Sequence, residues 1–369
     1  MKIIYIVDFS ISGSSGKNKA TREKAAALEK LVGKDNFQFI HLRDNVSGPS
    51  KLIERLLLDF RVFCALLFRT GNVSVIQRVF FLPLSRLLFW FKGWKVYSEF
   101  HADFKEEIPL LNKSNTQQKI LKLISPIYDW NYKMSDGIIF NHPYLKNKFD
   151  PVFRKPSIYS YNGANPTDFV PQDRGTARQE LSIPEDRIIF LFLGSVSQWH
   201  GVDYLIELFN QPNIIMRKDL FLYIVGAKEN EFVNALKEKL INKNILFFPP
   251  VDNKTANIYI NAADYCLLPV KNVRTSPGSP LKLYDYLSCG RTIIAQADMA
   301  GYSDEVEKYE LGYTIDFTNP AGSAKELLRI VETHHESGCH GNNLKAALQE
   351  VSWQKRMQKW LNFINFSSQ

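Results

Sequence analysis

Apolar positions along this chain alternate between short unbroken runs and longer stretches with helical spacing. In the first half the runs Lys2–Val7, Phe37–Leu42, Val73–Ile76, Lys95–Glu99, Gly137–Phe140 and Ser157–Ser160 read as strands. Between them Thr21–Leu31, Leu52–Phe68 and Gln117–Met134 repeat their apolar residues at helical intervals. The second half restarts the pattern with strands at Arg187–Leu193, Leu220–Val225, Ile245–Phe248, Tyr265–Leu268, Thr292–Ala295 and Tyr313–Ile315. Its helices are Val202–Phe209, Glu229–Leu240, Thr255–Ala262, Pro280–Ser288 and Ala324–Thr333. Strands this short and apolar, separated by helices, imply parallel sheets covered on both faces.

The two halves are divided at Asn165–Arg178, rich in Pro, Asp, Thr and Gly, which reads as an interdomain linker. The expected architecture is α/β: a first doubly wound, Rossmann-like domain over 1–170 and a second over 171–352, facing a central cleft. Ligands in such sheets bind beyond the carboxyl ends of the strands. A last helix, Trp353–Phe366, follows the second domain.

Composition supports two full cores, with 369 residues of which 45% are hydrophobic and 13% aromatic. Cys64, Cys266, Cys289 and Cys339 have no framework spacing and read as reduced thiols of a cytoplasmic protein. The opening Met1–Asp8 is too short an apolar run for a secretory signal. The net charge of +8 is concentrated: residues 51–95 hold eight Lys or Arg against Glu54 and Asp59, a local +6. The same stretch carries Phe60, Phe63, Phe80, Phe81, Phe89, Trp90, Phe91 and Trp94, but no uncharged window long enough to span a bilayer. Two readings stay open: a basic, aromatic face lying on an anionic membrane, or helices packed on the first sheet with their basic residues in water. No nucleic-acid module is recognisable.

The stretch Ser279-Pro280-Leu281-Lys282-Leu283-Tyr284-Asp285-Tyr286-Leu287-Ser288-Cys289-Gly290 is the strongest candidate for chemistry. Ser279 suits an N-cap and Pro280 the first helical position. The first-turn N–H groups of such a helix hold anions, and Lys282 adds a charge in the same turn. Asp285, one turn on, is placed to accept hydrogen bonds from sugar hydroxyls. Other strand ends carry weaker candidates. Ser10–Lys17 is a small-residue loop with neither a P-loop nor a G-x-G-x-x-G pattern. Glu99-Phe100-His101 ends a strand, Gly194–Gly201 is a glycine-bounded loop containing Ser195 and His200, Gly226 permits close backbone approach, and Pro249–Asp252 can clamp a flat base. His334, His335, Cys339 and His340 match no structural zinc spacing and read as a polar surface turn.

In order and spacing these segments resemble the retaining nucleotide-sugar glycosyltransferases of family four, which have the GT-B fold. The resemblance runs from Met1 to about Phe366. It is carried by Ile3–Gly16, Glu99-Phe100-His101, Ser135–Phe140, Tyr161–Asn165 with Phe169, Leu193–Asp203, Val225-Gly226 and, above all, Ser279–Gly290. It implies a donor bound mostly on the second domain, an acceptor on the first, and a last helix returning to the first.

By position, the resemblance gives Asp285 the place of the motif glutamate that holds the ribose hydroxyls, one methylene shorter. Pro277 stands where the family has its donor-sugar glutamate, and Ser195 and His200 where it has an Arg and a Lys on the diphosphate. Lys282 is then the first candidate for the missing charge, with Arg274 behind it. His101 matches the histidine near the donor sugar. Gly13, Ser15 and Gly16 match the phosphate and acceptor loop, and Val251 the backbone that meets the base. Gly194, Gly226, Ser279, Pro280 and Leu281 complete the expected donor contacts.

The expected function is retaining transfer of a sugar from a nucleoside-diphosphate sugar to a glycan or lipid-linked glycan in cell-surface polysaccharide biosynthesis. Lys282, His101 and Ser195 are the catalytic candidates. No cofactor and no metal are expected, since protein groups neutralise the diphosphate. The protein is expected in the cytoplasm, peripheral on the inner face of the plasma membrane, without a nucleic-acid partner. The rivals are a sugar-nucleotide epimerase of similar fold and a non-catalytic partner subunit; the departures at Pro277, Ser195 and His200 favour the latter.

Overall fold

Twelve strands form two all-parallel, six-stranded sheets in the computed structural model, which describes every residue except 14, 44–49, 111–113, 272–275, 334–340 and 368–369. Arg274 and the group His334, His335, Cys339 and His340 therefore lie outside the described residues. The chain divides into two units. The first comprises Met1–Asn162, Arg274–Gly278 and Trp353–Gln369, and the second Gly163–Val273 and Ser279–Ser352.

In the first unit β1 (Lys2–Val7), β2 (Phe37–Ile40), β3 (Val73–Arg78), β4 (Lys95–Phe100), β5 (Gly137–Phe140) and β6 (Ser157–Tyr159) are ordered β2-β1-β3-β4-β5-β6. Ile3 through Val7 are fully buried, as expected of a central parallel strand covered on both faces. The helix Gly16–Val32 opens on Ser15, whose Oγ accepts from the Asn18 amide at 3.2 Å. The last helix, Trp353–Ser367, packs against it within this unit. Phe363 meets Tyr97 edge-on at 5.7 Å, and the Tyr97 hydroxyl donates to the Ile364 carbonyl at 3.1 Å. A β-carbon at Gly137 would lie 2.9 Å from both Phe363 Cζ and Tyr97 Cδ1, so β5 can begin there only on glycine.

In the second unit β7 (Ile188–Leu193), β8 (Leu220–Val225), β9 (Ile245–Phe248), β10 (Tyr265–Leu268), β11 (Thr292–Gln296) and β12 (Gly312–Ile315) are ordered β12-β11-β10-β7-β8-β9. Strand order reverses at β7, which has β8 on one side and β10 on the other. That switch brings the loop after β7 beside the loop after β10, although about 75 residues separate them.

Asn165–Arg178, expected as a linker, is instead part of the second unit's packing. Asp173 caps a helix over Arg174–Glu180, accepting from the Thr176 amide at 2.8 Å. Arg178 is fully buried, with Nη2 on Asp264 Oδ2 at 2.6 Å and Nε on the Ala262 carbonyl at 3.1 Å. A turn-rich composition marked the start of this segment correctly but hid a long polar side chain that is buried because it is fully paired.

The 51–95 stretch also differs from a simple basic face. Arg86 is buried, while Arg55 pairs with Asp8, Arg61 with Glu54 and Lys95 with Asp136. What the helices Ser50–Leu67 and Pro83–Phe91 leave exposed is largely apolar: Leu56, Leu57, Phe60, Leu84, Leu87, Trp90 and Phe91. Among the described residues no helix is long and apolar enough to cross a membrane.

Candidate active site

The predicted site residues fall into one cluster in each unit. In the second, β7 is followed by Gly194 (φ +126°) and β8 by Gly226 (φ +106°). The two backbones approach so closely that a β-carbon on Gly226 would lie 2.5 Å from the Gly194 carbonyl oxygen. Lys282 fills the other side of Gly194, where a β-carbon would stand 3.4 Å from both Cε and Nζ. Its ammonium lies 3.8 Å from the centroid of the buried Phe192 ring. Burial lowers the Lys282 pKa to about 7, against the opposing pull of Asp285. Lys282 is thus held just beyond β7, beside Gly194, and is only partly protonated near neutral pH.

The helix carrying it runs Leu281–Ser288. The expected N-cap is corrected: Pro280, extended at φ −74° and ψ 124°, occupies the cap and Ser279 stands before it. Ser279 Oγ lies 3.3 Å from the Tyr284 hydroxyl, which donates to Glu305 Oε2 at 2.7 Å. No side chain caps this helix. The N–H groups of Leu281, Lys282 and Leu283 have no carbonyl partner inside the helix and retain their anion-binding character. Tyr286, which sequence reading missed, fixes the helix against the sheet by accepting from the Leu193 amide at 2.9 Å.

The remaining donor candidates are distributed around this point. Ser195 is exposed one residue beyond Gly194. His200 is turned to Ser197, with Nδ1 and Oγ 2.8 Å apart. Gly201 (φ +67°) lies against Pro269 and Val270, where a β-carbon would be 3.0 Å from the Val270 nitrogen. Val251 precedes the Asp252 cap, which accepts from the Thr255 amide at 2.7 Å. Beside it a pocket of about 280 Å³ is lined by Ala227, Lys228, Phe248, Pro249 and Pro250, although Val251 itself is not in its wall.

In the first unit, His101 Nε2 lies 2.7 Å from Glu99 Oε2. Glu99 is almost wholly buried and also takes Lys24 Nζ and the Tyr5 hydroxyl, each at 2.5 Å. Burial pushes the Glu99 pKa up, but Lys24 and His101 outweigh it and hold the carboxyl ionised well below its ordinary range. His101 is lowered to about 3 by burial and by the charges of Arg78 and Lys24, and is neutral near pH 7. An ionised carboxylate only accepts, so neutral His101 carries its proton on Nε2 and presents Nδ1 as an acceptor. Tyr5, Lys24 and Arg78 were missed from sequence. The one signal was Lys24 on the apolar stripe of Ala20, Ala27 and Leu28.

The small-residue loop is organised differently from expectation. Gly13 takes a left-handed φ of +90°, its carbonyl accepts from Arg22 at 3.0 Å, and Gly16 begins the helix. Ser15 instead lines a pocket of about 250 Å³ with Ser10, Ser12, Lys17, Asn18 and Arg43.

Residues 173–343 match the family model of the glycosyl transferases group 1. An uncharacterized glycosyltransferase of Methanocaldococcus jannaschii is 21% identical over 178 residues, 48% of this chain and 44% of that protein. Among solved structures, HepE of Anabaena in complex with UDP superposes at TM-score 0.71 with 13% identity, covering 99% of this chain and 100% of that one. A glycosyltransferase from Rickettsia africae superposes at 0.69 with 15% identity, covering 100% and 99%. The chain has the GT-B fold. The residues that match this family model include Gly194, Gly226, Lys282 and Asp285 of the second-unit cluster. The chain spans less than half the length of the Methanocaldococcus relative.

Proposed function

We propose that the protein is a retaining, metal-independent glycosyltransferase that takes its sugar from a nucleoside diphosphate. The observation that carries the reading is the seat of Lys282, a half-buried cation wedged between Gly194 and Phe192 beside uncapped helix amides, within a group 1 region. A diphosphate meeting this corner gains the lysine charge and two or three backbone donors at the oxygens where negative charge develops as the sugar leaves. Binding would raise the Lys282 pKa back toward its ordinary value and fix its proton. Asp285 would take the ribose hydroxyls and the chain at Pro249–Val251 the base; the UDP bound by HepE supports a nucleoside diphosphate in this fold. His101, neutral and with Nδ1 presented, offers an acceptor to a sugar hydroxyl.

With the acceptor hydroxyl attacking on the face the diphosphate leaves, the C1–O bond to phosphate breaks as the new glycosidic bond forms, the hydroxyl proton passes to the departing phosphate oxygen, and configuration is retained. We propose a glycan or lipid-linked glycan acceptor and contact with an anionic membrane through the first unit, because its helices expose Leu84, Leu87, Trp90 and Phe91. The test is turnover of a panel of UDP-, GDP- and ADP-sugars by wild type and Lys282→Ala, with the product anomer assigned by NMR. Retained configuration and loss of turnover in the variant are expected. Inversion, or full turnover by Lys282→Ala, overturns the reading, and release of an epimerised sugar nucleotide without acceptor establishes the epimerase instead.

A further inference from the structure

One pocket of the first unit is lined by none of the residues assigned to the reaction. It encloses about 580 Å³ between the Pro83–Phe91 helix, the end of the Asn115–Lys133 helix and the start of β4. That is the size of a small-molecule site. Its walls are largely aromatic, with Phe81, Phe89, Trp90, Trp94 and Trp130. Phe81 and Trp130 hold its two helical sides together, their rings 5.1 Å apart. Trp90 is 73% exposed, and Leu84 and Phe91 continue the apolar surface beyond it.

Three charged side chains line this pocket, and the Asp136 carboxylate acts on both cations, pairing with Lys95 and favouring the charge of Arg86. Lys95 Nζ lies 3.2 Å from Asp136 Oδ1, and Asp136 Oδ2 accepts from the Val96 amide at 2.9 Å. The third, Arg86, is 9% exposed. Its Nη2 donates to the Met134 carbonyl, while its buried Nη1 has no hydrogen-bond partner among the described residues. A buried guanidinium with an unmet donor is costly, and such groups call for an acceptor.

We propose that this pocket binds one anionic lipid, its chain against the tryptophans and its phosphate on Arg86 Nη1. The pocket's chemistry separates this occupant from a sugar. An oligosaccharide brings many hydroxyls needing partners, and the polar groups of this wall are few: Arg86 Nη1, the Lys95–Asp136 pair and the indole N–H groups. A lipid phosphate needs a single cation, and its chain needs the aromatic surface. The apolar rim formed by Leu84, Leu87 and Phe91 gives a chain a continuous path from a bilayer surface.

The probe is dodecyl phosphate below its critical micelle concentration, titrated into the full chain and followed by tryptophan emission, with inorganic phosphate, dodecanol and maltotriose as comparators. Dodecyl phosphate is expected to bind saturably at one site, at least tenfold tighter than dodecanol, without competition from maltotriose. Arg86→Met preserves apolar volume and should reduce dodecyl phosphate to the dodecanol affinity while leaving dodecanol unchanged. Trp90→Ala, at an exposed position that does not threaten folding, should weaken both ligands several-fold. Equal wild-type affinity for dodecyl phosphate and dodecanol, an unaffected Trp90→Ala, or displacement by maltotriose overturns the proposal. Sugar transfer is not the readout, so failure here leaves the proposed reaction standing.

Discussion

At the residue scale, Lys282 pairs its proposed function with a stability cost. Its unfolded form holds a proton up to about 10.5, whereas the folded form releases it near 7 because burial disfavours the charge. Between those values the unfolded state binds more protons, so the lysine's penalty is fully present below about pH 7 and fades as pH rises toward 10.5. Lys282→Met should therefore raise Tm at pH 7, by the equivalent of about 1–3 kcal/mol, and flatten this alkaline slope in denaturant titrations. The same variant should lose roughly 10²–10³ in kcat, the usual cost of removing one transition-state charge partner. In wild type, kcat/KM for donor should fall as pH rises through about 7, since only the charged lysine of the free protein attracts a diphosphate. Gly226 provides the steric counterpart. Gly226→Ala forces a methyl to within 2.5 Å of the Gly194 oxygen at a φ of +106°. A loss of more than about 2 kcal/mol, measured by chemical denaturation, together with a raised donor KM is expected.

At the element scale, the buried group Tyr5–Lys24–Glu99–His101 joins β1, the Gly16–Val32 helix and β4. His101 takes a proton near 6.5 when unfolded but only near 3 when folded. The unfolded chain therefore binds more protons across that window, and stability falls as pH drops from about 6.5 toward 3. His101→Gln should flatten that acid slope, read from urea midpoints between pH 7 and 4. Glu99→Gln should cost about 3–5 kcal/mol at pH 7 by stranding buried Lys24, a loss that Lys24→Met in the same chain should partly restore. The strands joined here were legible in the sequence because parallel strands covered on both faces must be unbroken apolar runs, and Lys2–Val7, Gly137–Phe140, Leu220–Val225, Ile245–Phe248 and Tyr265–Leu268 match the structure end to end. The Lys282 helix was legible for the same local reasons, save that Pro280 rather than Ser279 caps it. The seat of Lys282 on Phe192 and Gly194 was not legible. It depends on β7 lying beside β10, and no local pattern encodes strand order. Glu99 ends its strand, a place that looks open in sequence, whereas Tyr5 and Lys24 from two other elements close over it.

At the scale of the whole molecule, the charge of +8 and the apolar face of the first unit make different demands on a surface. The cations Arg55, Arg61 and Lys95 already have carboxylate neighbours, so their attraction to anionic lipid is reduced. The exposed side chains of the Pro83–Phe91 helix have no such competitor: Leu84, Leu87, Trp90 and Phe91 are between 47% and 73% exposed, which is more than isolated surface residues require. Insertion of this helix face should therefore dominate the proposed membrane attachment, with charge as the weaker contribution. Flotation with phosphatidylglycerol vesicles should carry the protein upward, and 0.5 M salt should reduce the bound fraction without abolishing it, because salt screens charge and not apolar burial. Leu84→Glu combined with Phe91→Glu should lower the partition at least tenfold while leaving Tm within a degree or two, since neither side chain belongs to the buried core. If attachment is instead lost entirely in salt and survives the double substitution, it is the basic residues of the Ser50–Leu67 helix that hold the protein to lipid, and the apolar face has another use.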